Sequence, residues 1–223
     1  MLITIPSVLP SDRLQSVCSI LKDAPFVNGS LSAGSAAKRV KNNEEVAMNA
    51  AQINQLNNIV MGSLVANSQY KSAALPHRIA APFYARYTEG MEYGDHVDDP
   101  VMGAADRYRS DVSITIFLSG PEDYEGGELV INTSFGEQKV KLNAGDAVMY
   151  PSSSLHHVNP VLSGERLVAV TWVQSMIRSP EQRDMLYQLN TARESLLQKE
   201  PESSESKAVD ICYANLIRMW SEV

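Results

Sequence analysis

The sequence predicts a mainly β protein, a sandwich or barrel of short strands with helices ahead of it and behind it. Three observations carry this. From about Ile79 to Gln174, β-branched and aromatic residues recur with a period of two, in short runs cut by Gly, Pro, Asn and Asp, the signature of half-buried strands. The stretches on either side of this region carry helical spacing instead. With 223 residues, 44% of them hydrophobic and 20% charged, the chain can bury a core that needs no disulfide or metal staple.

In chain order, "LITIP" reads as a short strand. "PSDRLQSVCSILKDA" places Leu14, Val17, Cys18 and Leu21 on one helical face, with Ser11 as its cap. Residues 24–45 are mixed, with the small-residue run "GSLSAGSAA" and the polar "KRVKNNEE". A second helix is expected from Val46 to Ser68, on Val46, Ala50, Ile53, Leu56, Val60 and Leu64. The strands follow: "IAAPFYARYTEG", "SDVSITIFLSG", "GGELVINT", "EQKVKLNAG", "DAVMYPS", "SLHHVNPV" and "ERLVAVTWVQS". After Arg178 the helical period returns. Met185, Leu186, Leu189, Ala192 and Leu196 form one stripe, "EPESSES" is a polar connector, and "KAVDICYANLIRMWSEV" is a last helix ending near Trp220. We divide the chain into residues 1–178, the β core with its early helices, and residues 179–223, a helical extension.

Composition excludes several classes. A net charge of −7 and a pI of about 5.1 argue against nucleic acid or an anionic membrane as a partner. The two cysteines, Cys18 and Cys212, form no zinc pattern and read as incidental thiols of a reducing compartment. The N-terminus lacks a signal peptide's basic start and long apolar run, and no stretch of about 18 apolar residues occurs, so a cytoplasmic location is expected.

The chemistry is carried by few residues. "YGDHVDDP" holds His96 and Asp98 two apart, a spacing that on a strand points both side chains to one side. Sixty residues on, "SLHHVNP" supplies His156 and His157; ten residues past His156, Arg166 opens "ERLVAVTW". Arg166, Val168, Val170, Trp172 and Gln174 share one face of that strand. An arginine heading an apolar inward stripe needs an anionic partner, and its fork suits a carboxylate. Two imidazoles and one carboxylate on one face of a metal leave three positions open, the facial triad of non-haem Fe(II) oxygenases.

These residues, with "RVKNNEEV", "RSDVSITIFLSGPEDYEGGELVI", "VKLNAGDAVMYPSSSLH" and "WVQSMIR", resemble the Fe(II)/2-oxoglutarate dioxygenases of the prolyl-4-hydroxylase-like branch, and more closely the bacterial PKHD-type hydroxylases. The resemblance implies a double-stranded β-helix, or jelly roll. It implies Fe(II) on His96, Asp98 and His156, and Arg166 on the distal carboxylate of 2-oxoglutarate. The implied reaction couples oxidative decarboxylation of 2-oxoglutarate by O2, giving succinate and CO2, to hydroxylation of a C–H bond, with L-ascorbate as supporting reductant. A link to iron homeostasis is a further expectation from the relatives.

Each residue has a plainer alternative. Neighbours on a strand face opposite ways, so one of His156 and His157 is a ligand; the motif points to His156. Asp99, directly before Pro100, fits a turn, which leaves Asp98 for the metal. Tyr87 is either a wall of the 2-oxoglutarate pocket or a core aromatic. Tyr93 is expected beside the ligands, Trp172 in the barrel core, and His77 on a surface loop. The substrate is expected to be selected by the loop 99–110 and the segment 24–45, which carry no readable code. Three rivals remain. A cupin-like protein is disfavoured by the lack of His-x-His, and a halogenase by Asp98. A non-catalytic iron sensor would keep the same residues without turnover. The helical tail is expected at or beside the interface of a homodimer.

Overall fold

The computed structural model describes residues 1–31 and 37–223; the small-residue run at 32–36 lies outside them. Two antiparallel sheets form a jelly-roll core. The larger runs Ile3–Ile5, Ala147–Pro151, Val112–Phe117, Arg166–Ser175, Phe83–Tyr87, Glu44–Val46, Phe26–Asn28, with Pro76–Ile79 beside the far half of Arg166–Ser175. The smaller runs Gly136–Val140, Leu129–Thr133, His156–Val158, Glu92–His96, Lys41–Asn42. Ala85, Tyr87, Phe117, Val148 and Val168 of the larger sheet meet Leu129, Ile131 and Val158 of the smaller one in the barrel interior.

The other face of the larger sheet is covered by three helices: α1 (Ser11–Lys22), α2 (Ala50–Ala66) and α3 (Ser68–Ala74). Leu56, Val60 and Leu64, one turn apart on α2, are fully buried in a layer with Val17 and Leu21 of α1 and Ile114, Ile116 and Ala169 of the sheet. Each such side chain contributes about 1.5–3 kcal/mol. Because both faces of the sheet are covered, every residue of Val112–Phe117 is buried, including Ser113 and Thr115 on the interior side.

Three boundaries differ from the expectations. Helix α1 has Pro10 at its N-cap and no side-chain cap bond; Ser11 is already helical. Val46 is strand, paired with Phe26, and α2 starts only after Asn49, whose side chain accepts from the Gln52 amide. The expected single helix to Ser68 breaks at Asn67, which leaves the helical region and caps α3 through the Tyr70 amide.

The tail forms α4 (Pro180–Lys199) and α5 (Ser204–Trp220). Helix α5 begins earlier than its apolar pattern because Ser203 accepts from the Ser206 amide. The pair folds back on its own barrel: Leu186, Leu216, Ile217 and Trp220 pack with Leu75 and Ile177, and the Glu222 amide donates to the Met176 carbonyl at 2.7 Å. The stripe is not wholly buried; Met185, Ala192 and Ile211 face outward. Among the described residues no helix is long and apolar enough to cross a membrane.

Candidate active site

Strand register creates the site. His96 ends Glu92–His96, His156 begins His156–Val158, and the two are paired directly across the antiparallel ladder. Their rings lie 4.2 Å apart. Asp98 is not on the strand, as the two-residue spacing predicts, but in the irregular segment that follows, where Pro100 approaches and ladder pairing has ended. It still reaches the histidines: ligand atoms of His96, Asp98 and His156 all lie within 4.8 Å of one another, the one such His/Cys/Asp/Glu group among the described residues. His156 Nε2 is 3.9 Å from Asp98 Oδ1.

Both imidazoles are oriented through Nδ1, which faces the Gly94 carbonyl at 2.8 Å in His96 and the Ser154 carbonyl at 2.9 Å in His156. A carbonyl only accepts, so Nδ1 carries the proton and Nε2 keeps its lone pair toward Asp98 and the other ring, the tautomer a metal requires. Burial, reinforced by the neighbouring His156, lowers His96 to about 4, so this ring is neutral near pH 7. Tyr93 stacks flat on it at 3.7 Å. Gly94 lets the 40–42 segment close over this strand, since a Cβ there would lie 2.9 Å from that of Val40.

Arg166 is 1% exposed, opposite Tyr87 in the ladder. Its guanidinium lies 5.0 Å from the Tyr87 ring and 5.6 Å from Phe117. Among the described residues no carboxylate pairs with it, and its Nε has no hydrogen-bond partner. A buried, unpaired cation calls for an anionic ligand. Arg166, Tyr87, Tyr150 and the His–Asp–His group all line one cavity of about 740 Å³. Burial raises both tyrosines, Tyr150 well above its ordinary value, so their hydroxyls are protonated. The donor set thus fits an iron ion with a carboxylate-bearing co-substrate.

Trp172 belongs to this cavity and not to the closed core as expected; its Nε1 is buried without a hydrogen-bond partner among the described residues, and its ring meets Phe83 edge-on at 5.7 Å. The segment 24–45 contributes Lys41, Asn43 and Glu45 to the wall; residues 99–110, expected as a loop, carry the paired strands Val101–Met102 and Tyr108–Arg109 and contribute Val101, Met102 and Tyr108. His157 points away, with Nδ1 2.8 Å from Asp95 and Nε2 3.1 Å from Asn159. His77 is exposed, on the strand Pro76–Ile79 rather than in a loop. Sequence reasoning missed Ser113, Thr115 and Ser152, hydroxyls buried on the interior side; the signal was the alternation Ser113, Thr115 against Ile114, Ile116 within one buried strand.

The fold and the site together define a 2-oxoglutarate- and Fe(II)-dependent oxygenase. The model for the 2OG-Fe(II) oxygenase superfamily matches residues 82–174, and that for the PKHD-type hydroxylase C-terminal domain matches 181–222. The chain is 50% identical to a PKHD-type hydroxylase of Thioalkalivibrio sulfidiphilus and 44% identical to one of Rippkaea orientalis, with 100% of each chain covered. It belongs to the PKHD-type hydroxylase family. The fold is shared with a Pseudomonas putida prolyl-4-hydroxylase (TM-score 0.55, 20% identity, 78% of this chain and 92% of that one). It is shared as well with a Trichoplax adhaerens prolyl hydroxylase in complex with a hypoxia inducible factor peptide fragment (TM-score 0.57, 18% identity, 83% and 86%).

Proposed function

We propose that His96, Asp98 and His156 hold Fe(II), that Arg166 grips the distal carboxylate of 2-oxoglutarate, and that the chain hydroxylates a substrate entering the same cavity. The observation that carries this is Arg166: a buried guanidinium with no anionic partner among the described residues, in one cavity with two imidazoles and a carboxylate. Iron bound there supplies O2 activation, coupled to decarboxylation of 2-oxoglutarate to succinate and CO2. The chain's own residues do the rest. The Gly94 and Ser154 carbonyls fix the two imidazole tautomers. Tyr87 packs on the guanidinium, lines the 2-oxoglutarate end of the cavity and helps to exclude water there. Trp172 and Phe83 form an aromatic wall for the primary substrate, while Lys41, Asn43 and Glu45 on one side and Val101, Met102 and Tyr108 on the other border its entry.

L-ascorbate is the supporting reductant in this reading, and the reducing cytoplasm is its compartment, in keeping with two free cysteines. The assembly is a homodimer with the helical tail beside its interface, for which the outward Met185, Ile211 and Met219 of α4 and α5 are the support.

The test is succinate formation by anaerobically purified protein given Fe(II), then 2-oxoglutarate and air. Asp98→Ala should abolish 2-oxoglutarate consumption; full consumption by that variant sinks the assignment.

A further inference from the structure

A carboxylate ligand has two oxygens, and what binds the second decides how the first is aimed. Here Asp98 Oδ2 lies 2.5 Å from Ser113 Oγ, and Ser113 Oγ lies 2.8 Å from Ser152 Oγ. Both serines are buried, Ser113 completely and Ser152 at 2% exposure. Ser113 donates to Asp98 Oδ2; with its proton committed, its oxygen accepts from Ser152. Oδ1, the oxygen near His156 Nε2, is left for a metal. Asp98 needs such a hold because no strand carries it: the ladder ends at His96. The Ser110 hydroxyl, 2.5 Å from the Asp99 carbonyl, ties down the next residue of the same segment.

We propose that Ser113, supported by Ser152, is a positioning residue that aims Asp98 at the metal. Its place on Val112–Phe117 faces the barrel interior, where an apolar side chain would otherwise add to the core. The inference rests on the reading of His96, Asp98 and His156 as metal ligands, and the experiment separates the two.

Metal-free protein is titrated with Co(II) alone, read by its visible absorption. Asp98→Ala should lose high-affinity binding; if it binds as the unmodified chain does, the ligand reading itself is wrong. With Asp98→Ala defective, Ser113→Ala should still take one ion but bind about 10- to 100-fold more weakly, and Ser113→Thr, which keeps the hydroxyl, should restore most of the affinity. Ser152→Ala should weaken binding less, by roughly 3- to 10-fold, and should add nothing in the Ser113→Ala background, because its effect passes through Ser113. Unchanged affinity in Ser113→Ala overturns the proposal, as does equal loss in the Ala and Thr variants. So does a Ser152→Ala effect of the same size in both backgrounds. If Ser113→Ala fails to fold, Ser152→Ala alone decides: wild-type affinity in that variant overturns the proposal.

Discussion

Arg166 gives the sharpest test at the scale of single residues. A hydrogen-bonded contact to a charged group contributes about 1.5–3 kcal/mol. Arg166→Ala should therefore raise the 2-oxoglutarate requirement roughly 10- to 150-fold while Co(II) binding to the metal-free protein stays within a few-fold. Arg166→Lys should recover only part of the loss, since a point charge cannot supply the two-pronged contact. Loss of metal binding with unchanged 2-oxoglutarate dependence assigns Arg166 a structural role instead. His157 gives the complementary outcome: it hydrogen-bonds Asp95 and Asn159 outside the cavity, so His157→Ala should keep most of the activity that His156→Ala abolishes. Arg166 was legible in the sequence because an arginine heading an apolar stripe is a local anomaly. Ser113 was not, since a serine in a strand is ordinary until the fold places Asp98 beside it. Trp172 was misread for a related reason: alternation gives the side of the sheet a residue faces, but not where the interior opens into a cavity.

Elements whose pattern is local were readable, and those made by distant partners were not. The inward and outward alternation of Arg166–Ser175 and the long apolar faces of α2 and α4 follow from residues a few positions apart. The strands Phe26–Asn28, Lys41–Asn42 and Glu44–Val46 are two or three residues long. The latter two are strands by pairing with Glu92–His96 and Phe83–Tyr87, and nothing in their own sequence fixes that. The junction between barrel and tail was equally hidden. Arg183, 3% exposed near the start of α4, donates to the Ile177 and Arg178 carbonyls at 2.7 and 2.9 Å and to the Asp111 carbonyl at 3.3 Å. Asp111 in turn pairs with Arg109 and accepts from the Ser175 amide. Arg183→Met keeps most of the volume and strips the donors, leaving buried carbonyls short of partners. This should cost about 1–3 kcal/mol, read as a lower urea midpoint with an unchanged slope. An unaltered midpoint means that the junction is held by Ile177, Leu186 and Trp220 alone.

At the scale of the whole molecule the question is what the tail covers. Its inner face is already spent: Leu186, Leu216, Ile217 and Trp220 close over Leu75 and Ile177 of the same chain. A truncation at Arg178 would therefore bare those residues and confuse association with unfolding. The outer face is cleaner. Ile211 and Met219 sit two turns apart on α5, 59% and 73% exposed, and Met185 of α4 is 53% exposed. Isolated exposed apolar residues are normal on a monomer, so their number proves nothing, but a two-fold contact would double whatever patch they form because the same surface serves both partners. If the homodimer forms there, light scattering of the full chain should give twice the mass of one chain. Ile211→Glu with Met219→Glu, which touches none of the buried tail contacts, should halve that mass and leave the unfolding midpoint at low protein concentration unchanged. A full chain that runs as a monomer ends the proposal, and a double variant that keeps its dimeric mass moves the interface away from the tail.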